Sequence, residues 1–228
     1  AGVAPVALGA ATGTTVVAAA SGVPLGARAC VNGEVSDEHD EPAGPVRTAG
    51  RLLVATPAID GGVFFRTVIL VLQHDHTGAQ GVVLNRPLEA PVGAVLPEWQ
   101  SVASAPGTVF QGGPVELDSA IGLARVPAQG SLPDGIQRLF GAIAVLDLDG
   151  QPERLGGELL RVRVFAGYAG WSPDQLDAEI GTGSWFVVDR EAEDVFTVAP
   201  ERLWSRVLRR QPAPLSWVST MPVDPSAN

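Results

Sequence analysis

The stretch "VFFRTVILVLQHDHTGAQGVVLNRP" (Val63–Pro87) decides how this chain is built. Val63–Asp75 is β-branched and aromatic, the composition that suits a pleated surface. Turn residues follow in "HTGAQ" (His76–Gln80), and Gly81–Pro87 resumes as a second apolar run stopped by proline. The expectation is an antiparallel hairpin with a loop of several residues. Neither run alternates cleanly with polar residues, which predicts strands buried on both faces.

Outward from the hairpin, short strand-like runs recur. "RLLVATP" (Arg51–Pro57) precedes it, and "GTVFQGGPV" (Gly107–Val115) follows as a strand running into a Gly-Gly-Pro corner. "SAIGLARV", "GAIAVLDLD" and "SWFVVD" read as further strands, with a short helix or turn at "APVGAVLPEW" and a weak helix at "QPERLGGEL". "LRVRVFAGY" (Leu160–Tyr168) alternates arginine with apolar residues, which predicts one wet and one buried face. "PERLWSRVLRRQ" (Pro200–Gln211) is an amphipathic helix with Leu203, Trp204, Val207 and Leu208 on one face. Many short strands with few helices indicate an α+β domain.

"VFAGYAGWSPDQLDAEI" (Val164–Ile180) is the most distinctive run. Ser172 suits an N-cap, Pro173 the first helical position, and Gln175 the third, which together make a capping box. Trp171 and Leu176 then hold the positions of a hydrophobic staple. Gly181 is the expected stop. These assignments leave Tyr168 without a structural explanation.

Hydrophobic residues make up 46% of the 228-residue chain and charged residues 18%, a globular composition. The first 45 residues differ: an Ala/Gly/Val/Thr-rich run leads into an acidic, proline-bearing segment, read as a disordered or low-complexity extension. Ala27-Arg28-Ala29 resembles a cleavage site, but the basic start and clean apolar core of a signal peptide are missing. Residues 46–228 are then a single domain. No apolar run reaches the length of a membrane span. The sole cysteine, Cys30, leaves no intramolecular disulfide and no multi-cysteine metal site.

All fifteen basic residues are arginine, and the formal net charge is −10. Over residues 46–228, 14 arginines face 20 carboxylates, so that region is acidic in its own right. Such a charge repels phosphate backbones and argues against direct nucleic-acid binding. The cluster "RVLRR" (Arg206–Arg210) is explained by the carbonyls at a helix C-terminus.

No catalytic constellation stands out. "HDH" (His74–His76) sets two imidazoles on one face of a strand, without the further ligands a metal needs. Arg86 either binds an anion or pairs with a carboxylate within the fold. "QGGPV" (Gln111–Val115) offers backbone amides or simply turns a tight corner; it is not a phosphate loop, since the chain has no lysine.

The long hairpin run, "VFQGGPV", "GYAGWSPDQLDAEI" and "GSWFVVD" occur in the order seen in the YqgE/AlgH family, and the chain resembles that family over about Gly50–Gln211. The resemblance implies a bent, bifurcated mixed sheet forming an incomplete barrel flanked by helices. It also implies a bacterial, cytoplasmic protein with a role in transcriptional regulation and no established enzymatic activity. Two departures stand out: the family often has Glu where this chain has Asp177, and "SAIGLAR" lacks a histidine that many members carry after the corner.

The expected function is regulation through a protein partner rather than direct DNA binding. The alternative is a small-ligand-binding protein or an unrecognised enzyme. Candidate ligand- or partner-binding residues are His74, Asn85, Arg86, Gly112, Gly113, Tyr168, Trp171, Gln175 and Glu179. Asn85, Arg86 and the Gly112–Gly113 corner are expected beside the Tyr168–Trp171 loop. No catalytic residue, metal or cofactor is expected.

Overall fold

The computed structural model describes residues 48–153, 155 and 159–222. The N-terminal extension, Cys30 and part of the weak helix expected after Gln151 lie outside those residues. Three antiparallel strands open the fold: β1 (Leu52–Ala55), β2 (Val68–Asp75) and β3 (Gly78–Val83). β4 (Pro87–Pro91) and β5 (Thr108–Gln111) flank two 3-10 turns, at Val92–Ala94 and Pro97–Trp99. β6 (Val115–Arg125), β7 (Ile136–Phe140), β8 (Ile143–Leu146) and β9 (Arg161–Trp171) form a second antiparallel group. The rest is α1 (Gln175–Gly181), β10 (Trp185–Val188), α2 (Ala192–Val195), α3 (Leu203–Arg209) and α4 (Leu215–Val218).

The ten strands of the described residues belong to one curled sheet: eight follow the order β10-β1-β2-β3-β9-β6-β8-β7, and β4 and β5 branch from it, β4 pairing with β5 and β5 with β9. β9 is where it forks. One edge of β9 pairs with β6, while the other serves β5 at Phe165–Ala166 and then β3 at Ala169–Trp171. The β5–β9 pairing is parallel and makes the sheet mixed. The result is the expected α+β half-barrel. Its end strands do not pair, and Arg190 spans the seam. The Arg190 guanidinium donates to Gly50 O and to Phe140 O at 3.2 Å, and lies 5.3 Å over the Phe140 ring.

The apolar runs of the hairpin are explained by three buried clusters. Leu52, Val54, Val68, Leu70, Val82 and Leu84 face one cluster, against Leu203, Trp204, Val207 and Leu208 of α3. Their neighbours Leu53, Ala55, Ile69, Val71 and Val83 face another, against Trp171, Leu176 and Trp185. The third lies beyond the fork, where Val162 and Val164 of β9 meet Trp99, Leu146 and Leu155. Each large apolar side chain so buried contributes about 1.5–3 kcal/mol. The four apolar residues of α3 are all buried, and Trp204 Nε1 donates to Ala55 O at 2.9 Å. Among the described residues no helix is long and apolar enough to cross a membrane.

Several local expectations need correction. β2 begins at Val68, five residues later than its composition suggests, because Arg66 sits at φ +51° and turns the chain. The hairpin loop is only two residues: Asp75 pairs with Gly78, and the Asp75 carboxylate accepts from Thr77 N at 2.8 Å and Thr77 Oγ1 at 2.6 Å. His76 therefore lies in the turn and shares no strand face with His74. β4 and β7 are strands that the sequence reading did not assign, and Pro87 opens a strand rather than ending one. The capping box is half formed: Gln175 Oε1 accepts from Ser172 N at 3.0 Å, but α1 starts at Gln175 after Asp174 at φ +61°. Trp171 and Leu176 do share a cluster, as a staple requires. Finally, the arginine face of β9 is not uniformly wet, since Arg163 is 2% exposed.

Candidate functional site

The two glycine motifs meet backbone to backbone. After β5, on one edge of β9, the chain crosses over β9 and joins β6 on the other edge. Gly112 and Gly113 make the crossing. A Cβ on Gly113 would lie 2.1 Å from the Tyr168 carbonyl carbon, and one on Gly112 would lie 2.2 Å from Gly167 O. Gly167 sits at φ +66°, and its own Cβ would meet Val115 O at 2.6 Å. Only glycine permits this approach. The corner and the "GY" dipeptide are thus one interlocked element.

Trp171, Gln175 and Glu179 form a second unit. Glu179 Oε2 accepts from Trp171 Nε1 at 3.0 Å and from Trp185 Nε1 at 2.7 Å, while its Oε1 accepts from Gln175 Nε2 at 2.9 Å. One carboxylate therefore fixes two indoles and ties α1 to β9 and β10. Phe64 completes the aromatic group, stacked on Trp171 at 6.5 Å and edge-on to Trp185 at 5.7 Å.

Asn85 and Arg86 point elsewhere. Asn85 is 5% exposed; its Oδ1 accepts from Val68 N at 3.0 Å and its Nδ2 donates to Arg66 O at 2.9 Å. The side-chain amide stands in for a strand partner where β2 begins. Arg86 donates to Phe65 O, and burial pulls its guanidinium below the usual value. Among the described residues no carboxylate pairs with Arg86; backbone carbonyls are its partners. The backbone of Arg86 does lie beside the corner, since its carbonyl accepts from Gln111 N at 2.8 Å. His74 Nδ1 lies 2.7 Å from Thr48 Oγ1, and its Nε2 lies 3.6 Å from Asp177 Oδ2. The departure at Asp177 thus falls on the partner of His74. Among the described residues no group of three His, Cys, Asp or Glu side chains is placed to hold a metal.

The structure gathers the nine candidate residues into neighbouring but distinct units. Gly112, Gly113 and Tyr168 form the crossing; Trp171, Gln175 and Glu179 form the indole clamp. The side chains of Asn85 and Arg86 serve the Phe64–Val68 loop, and His74 ties β2 to α1. What stays open is a groove of about 430 Å³ where the crossing, the clamp and the hairpin tip meet. Gln73, Thr77, Gln80, Val115, Tyr168 and Trp171 line it. Burial and the nearby Glu116 carboxylate push the Tyr168 phenol up from its usual value. On the rim, Asp75 accepts from Gln73 Nε2 at 2.6 Å, and its hydrogen bonds to Thr77 and Gln73 pull its carboxyl down to about 2. Thr77 and Gln80 were hidden in a segment read as a turn, and Gln73 in a run read as a strand.

The profile of the AlgH-like family matches residues 52–216. This chain belongs to the AlgH-like family. A UPF0301 protein of Streptomyces coelicolor is 52% identical over 182 residues, covering 78% of this chain and 94% of its own length. A UPF0301 protein of Thermobifida fusca is 45% identical over 188 residues, with 78% and 94% covered. Among solved structures, a Corynebacterium diphtheriae protein is similar with a TM-score of 0.72 and 33% identity, over 81% of this chain and 95% of that one. The AlgH protein of Pseudomonas aeruginosa, at 24% identity, shares the fold with a TM-score of 0.56 over 80% and 98%. The glycine crossing, the indole clamp and the groove all lie within the span that the AlgH-like profile covers.

Proposed function

We propose that this AlgH-like protein is a regulatory protein that acts through a protein partner seated on the Tyr168 groove, and not through direct contact with DNA. One observation carries the reading. The crossing, the clamp and the hairpin tip meet at this groove, and Gln73, Thr77 and Gln80, which line it beside Tyr168 and Trp171, belong to neither the crossing nor the clamp. Tyr168 supplies an aromatic surface with a polar tip, the kind of residue that anchors interfaces.

The charge distribution supports a protein partner over DNA. Two arginines of the basic cluster are spent inside the fold: Arg210 donates to both carboxylate oxygens of Asp194, at 2.8 and 2.6 Å, and Arg206 Nη2 lies 3.5 Å from Asp194 Oδ1. With a chain net charge of −10, little is left to form a basic stripe along a duplex. A volume near 430 Å³ also suits a small ligand, and that second reading makes a different prediction.

The test is affinity capture from the native cell with three baits: wild type, Gln80→Arg in the groove, and Gln137→Arg on β7. A partner held by wild type and Gln137→Arg, and reduced at least about tenfold by Gln80→Arg, is the expected result. Equal capture by all three would remove the groove from the proposal. A small molecule released from the wild-type protein in native mass spectrometry, with no protein partner, would establish the second reading. Sequence-selective gel shifts at submicromolar protein would overturn the exclusion of DNA.

A further inference from the structure

Away from the groove, the interior of the sheet holds a buried cation. Arg163 is 2% exposed. Its Nη1 donates to Val195 O at 2.9 Å, and its Nη2 donates to Ala105 O at 2.9 Å and Thr197 O at 2.8 Å. The guanidinium lies 4.2 Å over the Phe110 ring. No carboxylate among the described residues pairs with it. Burial, and next the charge of Arg161, pull its pKa down to about 10, so it remains a cation at neutral pH. Its Nε–H has no hydrogen-bond partner.

Among the described residues, only one other buried side-chain polar atom lacks a partner: Thr108 Oγ1. The two are not scattered. β5 and β9 run parallel, with Phe110 opposite Phe165. Thr108 lies two residues before Phe110 on β5, whose ring the Arg163 guanidinium covers, and three residues after Ala105, whose carbonyl accepts from that guanidinium. Strand alternation puts Thr108, Phe110, Arg163 and Phe165 on one face. Buried polar groups in native proteins are almost always satisfied, and a pair of orphans on one seam points to a shared partner. A guanidinium nitrogen can only donate, and a threonine hydroxyl can donate as well, so that partner is an acceptor.

We propose that Arg163 Nε–H and Thr108 Oγ1–H together bind one small hydrogen-bond acceptor in the seam between β5 and β9, the size of a water molecule or a chloride ion. Either source completes the hydrogen bonding of both groups. Chloride also offsets the unpaired guanidinium charge, whereas water does not. The site joins three stretches of chain distant in sequence: the turn at Ala105, the segment around Val195–Thr197, and β9. It is independent of the groove, and so of any partner docked there.

Crystals of the full chain grown in bromide and in chloride test the proposal. The expected result is a density peak within hydrogen-bonding reach, about 3.3 Å, of both Nε and Oγ1. An anomalous signal in bromide marks it as an anion, and a peak without that signal marks it as water; both support the site. No peak within reach of either atom would overturn it. Because Arg163 variants endanger folding, the second arm uses the near-isosteric Thr108→Val, which should abolish the peak. A peak of unchanged height in that variant would mean an adventitious ion or water on Arg163 alone, and the shared site would be wrong.

Discussion

β9 is one strand with two unlike halves. From Arg161 to Ala166 it is sealed: β6 runs along one edge, β5 covers part of the other, and even its arginine at 163 is drawn inside. From Gly167 to Trp171 it is open in a different way. Glycines at 167 and 170 remove bulk, the Gly112–Gly113 backbone lies across the strand, and a groove remains beside Tyr168. The difference shows what side chains decide in a sheet. Where they are large, they fill both faces and set strand spacing. Where they are absent, backbone packs on backbone, and the next large side chain stands at the edge of the space left behind.

The contrast breaks most severely at Gly113. Gly113→Ala drives a Cβ to 2.1 Å from the Tyr168 backbone, where nothing flexible can yield. The expected loss exceeds about 4 kcal/mol, enough to prevent folding of a domain of ordinary stability, read by expression and thermal melting. The same change at Gly170 meets only the end of the Tyr168 ring at 3.2 Å, and should cost less than about 1 kcal/mol. Equal effects at the two positions would mean that the crossing is not the rigid element described.

The sealed half is tested by Arg163→Met, which keeps bulk but strips the donors from three buried carbonyls. A loss of about 3 kcal/mol in urea unfolding is expected. A neutral substitution would show that those carbonyls find other donors. At the open end, Glu179→Ala frees both clamped indoles and should cost about 2 kcal/mol. It should also alter the near-ultraviolet circular dichroism of the tryptophans; an unchanged spectrum would show that stacking with Phe64 alone holds them.

The smallest effect sits on the groove rim. Asp75 has a folded pKa of about 2, below the ordinary value near 3.9, because Thr77 and Gln73 donate to its carboxylate. A depressed carboxyl favours the folded state above its unfolded pKa, and that contribution fades as pH falls from about 4 to 2. The Thr77 amide resonance should titrate over that lower range, and Asp75→Asn should remove the titration with little change in melting temperature. A midpoint near 4 would show that the turn does not hold the carboxylate.

Much of this was legible residue by residue. The period of Pro200–Gln211 named the four residues that α3 buries, because an isolated helix face needs no distant information. The continuous apolar runs around the hairpin foretold burial on both faces, since such runs need cover on two sides. The pairing of Trp171 with Leu176 followed from positions five residues apart. The site was less legible. Asn85, Arg86 and Trp171 are all singular in the sequence, yet their side chains hold loops and corners. The groove lining came from Gln73, Thr77 and Gln80, residues of no evident chemistry.

The sequence by itself determined much of the local matter: most of the strand segments, which face of α3 is apolar, and that the whole is acidic. Tertiary structure alone decided what those pieces meet. Arginine on an alternating strand is read as wet unless carbonyls are waiting, and those of Arg163 come from residues 58, 32 and 34 positions away. Glycine announces freedom but not its use; only the fold lays Gly113 against Tyr168, 55 residues on. Hydrogen bonding and close packing act between neighbours in space, and a chain that forks its sheet at β9 makes neighbours that no local pattern can foretell.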